Sequence, residues 1–230
     1  MSRSCTLPCP ICGGIGFDDH TVLWPELISA WQLSSSEVSY INRQQGTLCR
    51  KCGGNIRSGA LAKAICTFFG FDGPLDQLLA TPQKKEVLEV NEAGTLHSRL
   101  SRIIGHKYGA YPECNLMEIP YPDASFQLVV HSDTLEHVES PRKALEELRR
   151  VLVKGGASIF TVPIVVGRLT HSRNGLPPAF HGVPGGESPD LCVHTEFGAD
   201  VWCTIMDAGF GDCRFISYDY PSGVAIMATK

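Results

Sequence analysis

Four cysteines near the start of the chain have the types and spacing of a metal site. The segment PCPICGG contains Cys9 and Cys12, and LCRKCGG contains Cys49 and Cys52. Each Cys-x-x-Cys pair is followed by two glycines, which let backbone amides approach the sulfurs on a tight turn. Four thiolates are a ligand set for tetrahedral structural zinc, with no position left open for catalysis. The alternative is a pair of redox-active or merely buried Cys-x-x-Cys turns.

The segments around these cysteines predict a small zinc-ribbon-like module over residues 1–57. A capping box from Ser34 to Glu37 predicts a short helix that ends at Gly46. A module of this size has too small a hydrophobic core to be stable alone, and a bound zinc would supply the additional stability. Residues 58–83 read as a helical linker that Gly and Pro interrupt.

A second group of polar residues follows a buried strand in the middle of the chain. The run from Phe126 to Val130 is apolar, and His131 and Asp133 come directly after it. Ser140 and Pro141 predict the start of an amphipathic helix. A further β-rich run then follows, so the segment predicts a strand-helix-strand crossover in a parallel sheet.

The same segment carries a family resemblance. SDTLEHV, ALEELRRVLVKGG and SIFTVP resemble class I S-adenosylmethionine-dependent methyltransferases, with Lys154 where that family usually has proline. The resemblance covers residues 84–230. It implies a Rossmann-like αβα sandwich, with S-adenosylmethionine as the cofactor. It also implies methyl transfer to an oxygen or nitrogen nucleophile.

The resemblance assigns cofactor contacts to the first predicted strand, Lys84–Val90, and the loop after it. Glu89 matches the family's acid. Asn91 and Ala93 occupy positions where the family has glycines, and Gly94 is one position off. Asparagine tolerates the left-handed backbone that glycine usually supplies there.

The next family segments are shortened. A helix is predicted over 95–104 and a strand over 108–114, whose Glu113 is the candidate for the ribose hydroxyls. Asn115 and Leu116 follow at once as further candidate cofactor contacts, and Asn115 replaces the acid that meets the adenine amino group. His131 and Asp133, at the carboxyl end of the next predicted strand, are also candidate cofactor contacts. The sheet is therefore predicted to lack one strand and its helix.

Several side chains are candidates for the acceptor side of the site. His137 and His131 are candidate general bases, with structural histidines as the alternative. The long loop over 164–195 is expected to overhang the same sheet edge, and its Arg168 and Arg173 suit a phosphate or carboxylate. Its candidate substrate contacts are Arg168, His171, Arg173, His181 and His194. The alternative is a polar surface loop, followed by a predicted helix over 195–208 and two closing strands.

The composition of the chain limits the classes of partner that it is expected to bind. The net charge is −4, which gives no general attraction to nucleic acid or anionic membranes. No apolar run is long enough to span a bilayer, and no secretory signal is evident, so a cytoplasmic protein is expected. A small-molecule or glycan-type acceptor is predicted. The alternatives are an inactive scaffold, or an RNA methyltransferase whose ribbon uses a basic cluster of Arg43, Arg50, Lys51 and Arg57.

Overall fold

The computed structural model of the protein describes residues 7–180 and 188–230. The chain divides into two compact units that interleave in sequence. The first unit consists of Met1–Lys84, Gly94–Ile104 and Phe215–Ile226, and the second of Lys85–Ala93, Gly105–Arg214 and Met227–Lys230. The three-part division predicted from sequence, at residues 57 and 83, stays a prediction.

The helices and strands follow one another along the whole described chain. In order they are β1 Phe17–Asp19, α1 Pro25–Ala30, α2 Ser35–Gly46, β2 Thr47–Cys49, α3 Ile56–Phe68, α4 Leu75–Leu78, β3 Lys84–Val90, α5 His97–Leu100, β4 Ile104–Gly109, β5 Phe126–Ser132, α6 Pro141–Val151, β6 Leu152–Thr161, β7 Ile164–Val165, β8 His171–Ser172, β9 Thr195–Gly198, α7 Val201–Asp207, β10 Asp212–Asp219 and β11 Gly223–Thr229. Short 3₁₀ turns lie at Gly94–Leu96, Leu135–His137 and Pro189–Leu191.

A six-stranded sheet with the order β10-β11-β6-β5-β3-β4 defines the fold class. β5 pairs in parallel with β3 on one side and with β6 on the other. β5 and the second half of β3 are buried on both faces, as is usual for parallel strands covered by helices. The predicted Rossmann-like α/β fold is confirmed.

The sheet is also shortened as predicted. Residues 110–125 connect β4 to β5 through turns and contain no helix or named strand. β4 is consequently the last strand on its side of the sheet. Chain progression reverses between β3 and β5, and such a switch point is where open α/β sheets bind ligands, beyond the carboxyl ends of the strands.

Three predicted elements differ from the structure. The helix predicted over 95–104 is reduced to a 3₁₀ turn and the four-residue α5. The strand predicted over 108–114 lies earlier, as β4 at Ile104–Gly109. The helix predicted over 195–208 is wrong in its first half, because Thr195–Gly198 forms β9 and pairs with both β7 and β8. These pairings join distant segments, which helical periodicity within one segment cannot reveal.

Two helices begin where the sequence predicts that they begin. α2 begins at a capping box in which the Glu37 backbone N–H donates to Ser34 Oγ and the Ser34 N–H donates to Glu37 Oε2. Ser140 caps α6 by accepting from the Lys143 N–H at 3.3 Å.

Among the described residues, no helix is both long and apolar enough to cross a membrane.

Candidate functional site

The first unit brings the four predicted cysteines together. The sulfurs of Cys9, Cys12, Cys49 and Cys52 all lie within 4.8 Å of one another. The Sγ atoms of Cys9 and Cys52 are 3.7 Å apart, as are those of Cys12 and Cys49. Both separations are far longer than a disulfide bond of about 2.05 Å.

The two cysteine turns have the same backbone geometry. The Gly13 N–H donates to the Cys9 carbonyl, and the Gly53 N–H donates to the Cys49 carbonyl, each at 2.8 Å. Both glycines have a left-handed backbone, with φ of +70° and +71°. A residue with a Cβ is strained there, so the Gly after each second cysteine is a requirement of the turn.

Apolar packing fixes the two turns against each other. Ile11, between the first two cysteines, is fully buried. A Cβ on Gly54 would lie 2.3 Å from Ile11 Cδ1, so only glycine allows the second turn to approach this closely. The start of α4 holds the first turn through N–H donation from Leu75 to the Pro10 carbonyl and from Asp76 to the Ile11 carbonyl.

The sulfur cluster fits tetrahedral zinc. Four sulfurs at about 2.3 Å from a zinc ion lie about 3.8 Å from one another, close to the two separations of 3.7 Å. Burial raises the pKa of Cys9 well above its usual range and that of Cys52 to about 11. Burial thus disfavours the thiolate forms of Cys9 and Cys52, and a bound cation is what would stabilise them.

The second unit contains a cavity of about 960 Å³, within the usual size range of small-molecule sites. Segments that follow β3, β4 and β5 and parts of the long loop bound it. Its lining consists of Asn91, Tyr111, Cys114, Asn115, Leu116, Met117, Asp133, Thr134, His137, Val138, Glu139, Pro178, Phe180, Pro189, Asp190, Leu191, Cys192 and His194. The cavity therefore lies beyond the carboxyl ends of β3 and β5, at the switch point of the sheet.

The altered glycine loop leaves this cavity open. Asn91 has φ of +55° and its Oδ1 accepts from the Tyr111 N–H at 2.9 Å. Glu89 is fully buried, where Oε1 accepts from the Ala93 N–H at 2.9 Å and Oε2 lies 2.8 Å from His106 Nε2. Ala93 is buried and Gly94 has φ of +58°. Asn91 lines the cavity directly, whereas Glu89 and Ala93 shape the loop beside it.

The segment predicted to meet adenine also reaches the cavity. Asn115 Oδ1 accepts from the Met117 N–H at 2.9 Å, which folds residues 115–117 into a tight turn. Asn115, Leu116 and Met117 all line the cavity. Glu113 is exposed and lines a separate shallow pocket with Asn115 and Glu118. Because β4 ends at Gly109, Glu113 does not stand at the end of that strand.

Asp133 and His137 border the cavity after β5. Asp133 has φ of +47°, and its Oδ1 accepts from Thr161 Oγ1 at 3.3 Å. His137 Nδ1 lies 3.0 Å from the Cys192 carbonyl oxygen, and its Nε2 lies 3.6 Å from Glu136 Oε1. A carbonyl oxygen only accepts, so Nδ1 carries a hydrogen and Nε2 is the nitrogen that can take a proton.

His131 lies in the core and does not line the cavity. It is fully buried and stacks on Phe160, with ring centroids 4.7 Å apart. Neither ring nitrogen has a hydrogen-bond partner among the described residues. Desolvation lowers the pKa of His131 to about 3, so the ring is neutral at physiological pH.

Most predicted substrate contacts of the long loop lie elsewhere. Arg173 forms an ion pair with Glu196, and His171 Nε2 lies 3.3 Å from Glu196 Oε2. Arg168 is half-buried and, like these two, is not among the lining residues. His194 does line the cavity, while His181 lies outside the described residues.

Several lining residues were not predicted from sequence. Tyr111 and Cys114 lie in a segment that was read as a strand. Phe180 and Cys192 face one another as an isolated bridge within the long loop, and this pairing has no local sequence signal. His106, the partner of Glu89, was missed because β4 was placed too late in the chain.

The basic cluster proposed for RNA is partly neutralised in the first unit. Arg43 pairs with Asp219, and Arg50 Nη2 lies 2.7 Å from Asp18 Oδ1. Lys51 Nζ donates to the Cys12 carbonyl at 3.2 Å. These contacts reduce the positive charge available to a phosphate backbone, so they do not favour the RNA alternative.

Comparison with known proteins supports the family resemblance. The sequence model of a family described as a methyltransferase domain matches residues 52–160. A protein of Mycobacterium tuberculosis described as a probable S-adenosylmethionine-dependent methyltransferase is 32% identical over 116 residues. That match covers 47% of this chain and 37% of the relative. A similarly described protein of Mycolicibacterium smegmatis is 31% identical over 114 residues, covering 46% of this chain and 39% of the relative.

The chain thus matches less than two fifths of the length of these curated relatives. Among solved structures, an S-adenosylmethionine-dependent methyltransferase from Mesorhizobium loti is similar at a TM-score of 0.40 and 12% identity. This similarity covers 67% of the chain and 94% of the solved one. The domain match and the curated relatives support an S-adenosylmethionine-dependent methyltransferase.

Proposed function

We propose that this chain transfers a methyl group from S-adenosylmethionine to a nitrogen or oxygen nucleophile, and that Cys9, Cys12, Cys49 and Cys52 bind a structural zinc. The observation that carries the catalytic proposal is the cavity at the switch point of the sheet. Three of the segments that bound it contain Asn91, Asn115 and Asp133, which the resemblance assigns to the cofactor. Their combination in one cavity is what a bound nucleoside requires.

Each segment has a distinct role in this proposal. The 115–117 turn holds the adenine, since Asn115 keeps an amide donor and a further acceptor lone pair. The left-handed Asn91 lets the first loop pass the methionyl part closely. Asp133 provides a carboxylate for the methionyl ammonium. When bound, S-adenosylmethionine supplies a methyl group activated by the adjacent sulfonium.

His137 is the proposed general base. Its Nδ1–H is held by the Cys192 carbonyl, so Nε2 takes the proton that the acceptor loses. Glu136, whose Oε1 is 3.6 Å from Nε2, stabilises the imidazolium that results. The zinc site takes no part in the chemistry, because four thiolates complete its coordination.

Binding of S-adenosylhomocysteine tests the proposal without knowledge of the acceptor. Calorimetry on the purified chain is expected to give a dissociation constant in the micromolar range, about −8 kcal/mol. Asp133→Asn keeps a residue that tolerates the left-handed backbone but removes the charge, and we expect it to bind about tenfold more weakly.

Asp207→Asn is the matched control, since Asp207 is an exposed acid on α7 that does not line the cavity. It is expected to bind as the unmodified chain does. Failure of the unmodified chain to bind S-adenosylhomocysteine at millimolar concentration would refute the enzyme and favour the inactive-scaffold alternative.

A further inference from the structure

The charges around the cavity differ from those expected for an anionic acceptor. The carboxylates of Asp133, Glu139 and Asp190 line it, and among its described lining residues there is no lysine or arginine. Arg168 and Arg173, which the sequence offered as an anion clamp, do not line it, and Arg173 is paired with Glu196. The field inside the cavity therefore favours positive charge.

The three acids are not equivalent in position. Asp133 is half-buried at the end of β5, where the proposed function uses it for the methyl donor. Glu139 and Asp190 are exposed, one on the turn before α6 and the other on the 3₁₀ turn at Pro189–Leu191. These two residues are far apart in sequence, yet both border the same cavity as His137. This leaves two carboxylates and one base for the acceptor.

We infer that the acceptor is an amine that enters as an ammonium ion, and this inference rests on the proposed function. Glu139 and Asp190 attract the ammonium, and the aromatic rings of Tyr111 and Phe180 in the same lining suit a cation that carries apolar carbon. A phosphate or carboxylate acceptor would meet repulsion from both acids, with no lysine or arginine among the described lining residues to offset it.

The reaction itself fits the same field. The ammonium first gives one proton to His137 Nε2, which leaves a lone pair on nitrogen. That pair forms the new N–C bond while the S–C bond breaks and its electrons stay on sulfur. The positive charge thus passes from sulfur to nitrogen, and the product is again a cation. Attack by an anion would instead cancel the charge, which an acidic surrounding disfavours.

Three probes of similar size and different charge test the inference. They are 2-phenylethylamine, 2-phenylethanol and 3-phenylpropanoate, each titrated by calorimetry into the chain saturated with S-adenosylhomocysteine. We expect the amine to bind about tenfold or more tightly than the carboxylate, with the alcohol between them. The preference should shrink as salt concentration rises, because exposed charges are screened.

Two double variants separate a local effect from the net charge. Glu139→Gln with Asp190→Asn is expected to remove most of the preference for the amine. Glu146→Gln with Asp207→Asn makes the same change in net charge at acids outside the cavity, and it should keep the preference.

The inference is overturned if the carboxylate binds as tightly as the amine, if no amine binding occurs at about 10 mM, or if both double variants lose the preference equally. If the chain still binds S-adenosylhomocysteine, any of these results contradicts only the amine acceptor and not the proposed methyl transfer. Loss of S-adenosylhomocysteine binding instead removes the proposed function and this inference with it.

Discussion

The turn that carries His137 is joined to the long loop by two hydrogen bonds. The Cys192 carbonyl accepts from Nδ1, and the backbone N–H of His194 donates to the Glu136 carbonyl at 2.8 Å. The long loop is therefore attached to the turn that carries His137, the proposed base. The hydrogen bond to the carbonyl fixes the tautomer, with the hydrogen on Nδ1.

Replacing His137 by glutamine is expected to lower turnover by roughly 10²–10⁴, the usual contribution of a general base. Turnover is measured as S-adenosylhomocysteine formed from S-adenosylmethionine with 2-phenylethylamine as acceptor. Affinity for S-adenosylhomocysteine should stay within about twofold. His20→Gln alters an exposed histidine of the first unit and serves as the control. An equal loss of affinity and turnover in His137→Gln would indicate a structural histidine instead.

His131 is buried in the core, where its protonation is expected to affect the stability of the fold. Its folded-state pKa of about 3 lies below the ordinary histidine value of 6.5. Between these two values the unfolded chain binds a proton that the folded chain does not. Stability is therefore lost as the pH falls from about 6.5 towards 3, and the contribution is fully present above 6.5.

His131→Phe should remove this part of the acid sensitivity, because phenylalanine retains an aromatic ring to stack on Phe160 and does not titrate. Urea unfolding at about pH 7 and about pH 5.5 is expected to show that the unmodified chain loses about 1 kcal/mol more than the variant. Other titrating groups are common to both chains and cancel in the comparison. Identical losses would mean that His131 takes up a proton in the folded state as well.

At the scale of elements, α6 connects the site to the core. Pro141 occupies its first turn, and Ala144, Leu145, Leu148 and Val151 form its buried stripe. Its amino terminus begins directly after the turn that contains His137 and Glu139. The cap at Ser140 therefore fixes the start of α6 directly after the residues that line the cavity.

Ser140→Ala is expected to destabilise the chain by about 1 kcal/mol, since the Lys143 N–H loses its acceptor. Ser140→Asn keeps a capping oxygen and should stay within a few tenths of a kcal/mol. The change is measured as a shift of the urea midpoint at constant slope. Equal stability of the two variants would show that the cap contributes nothing to the folded chain.

Elements with strong local signals were the ones that sequence could predict. β5 begins with an apolar run, β3 ends in the largely apolar segment 87–90, and α2 and α6 carry caps. The predicted starts of these four elements agree with the structure. β9 was misread as helix because its pairing with β7 and β8 joins residues far apart in the chain. The hydrophobic periodicity of one segment cannot predict its pairing with a distant segment.

The same distinction applies to the site. Asn91, Asp133 and His137 follow β3 and β5, two strands that the sequence predicts, so a location at one sheet edge could be expected for them. The carbonyl of Cys192 reaches His137 across the sequence, through a loop without regular structure. The ion pair of Arg173 with Glu196 was equally inaccessible, because it depends on the pairing of β8 with β9.

At the scale of the whole molecule, the first unit brings the sulfurs of Cys9, Cys12, Cys49 and Cys52 together in one cluster. Its sulfurs converge from two turns that lie about forty residues apart in sequence. β1 pairs antiparallel with β2, which ends at Cys49, so the second turn is anchored by a strand. Ile11, which lies between Cys9 and Cys12 in sequence, is fully buried. Folding of these turns and binding of zinc are consequently one process in our proposal.

Removing zinc should therefore destabilise the chain strongly. Elemental analysis is expected to find one zinc per chain, and Cys49→Ser should abolish it by removing one of the four ligands. The loss of stability should exceed about 3 kcal/mol, since structural zinc contributes about 10–16 kcal/mol in small zinc modules. Cys203→Ser, in α7 and outside the cluster, should retain both zinc and stability. If chelation leaves the thermal unfolding of the unmodified chain unchanged, the sulfurs form a packed cluster of thiols, and the apolar contacts of Ile11 alone hold the two turns together.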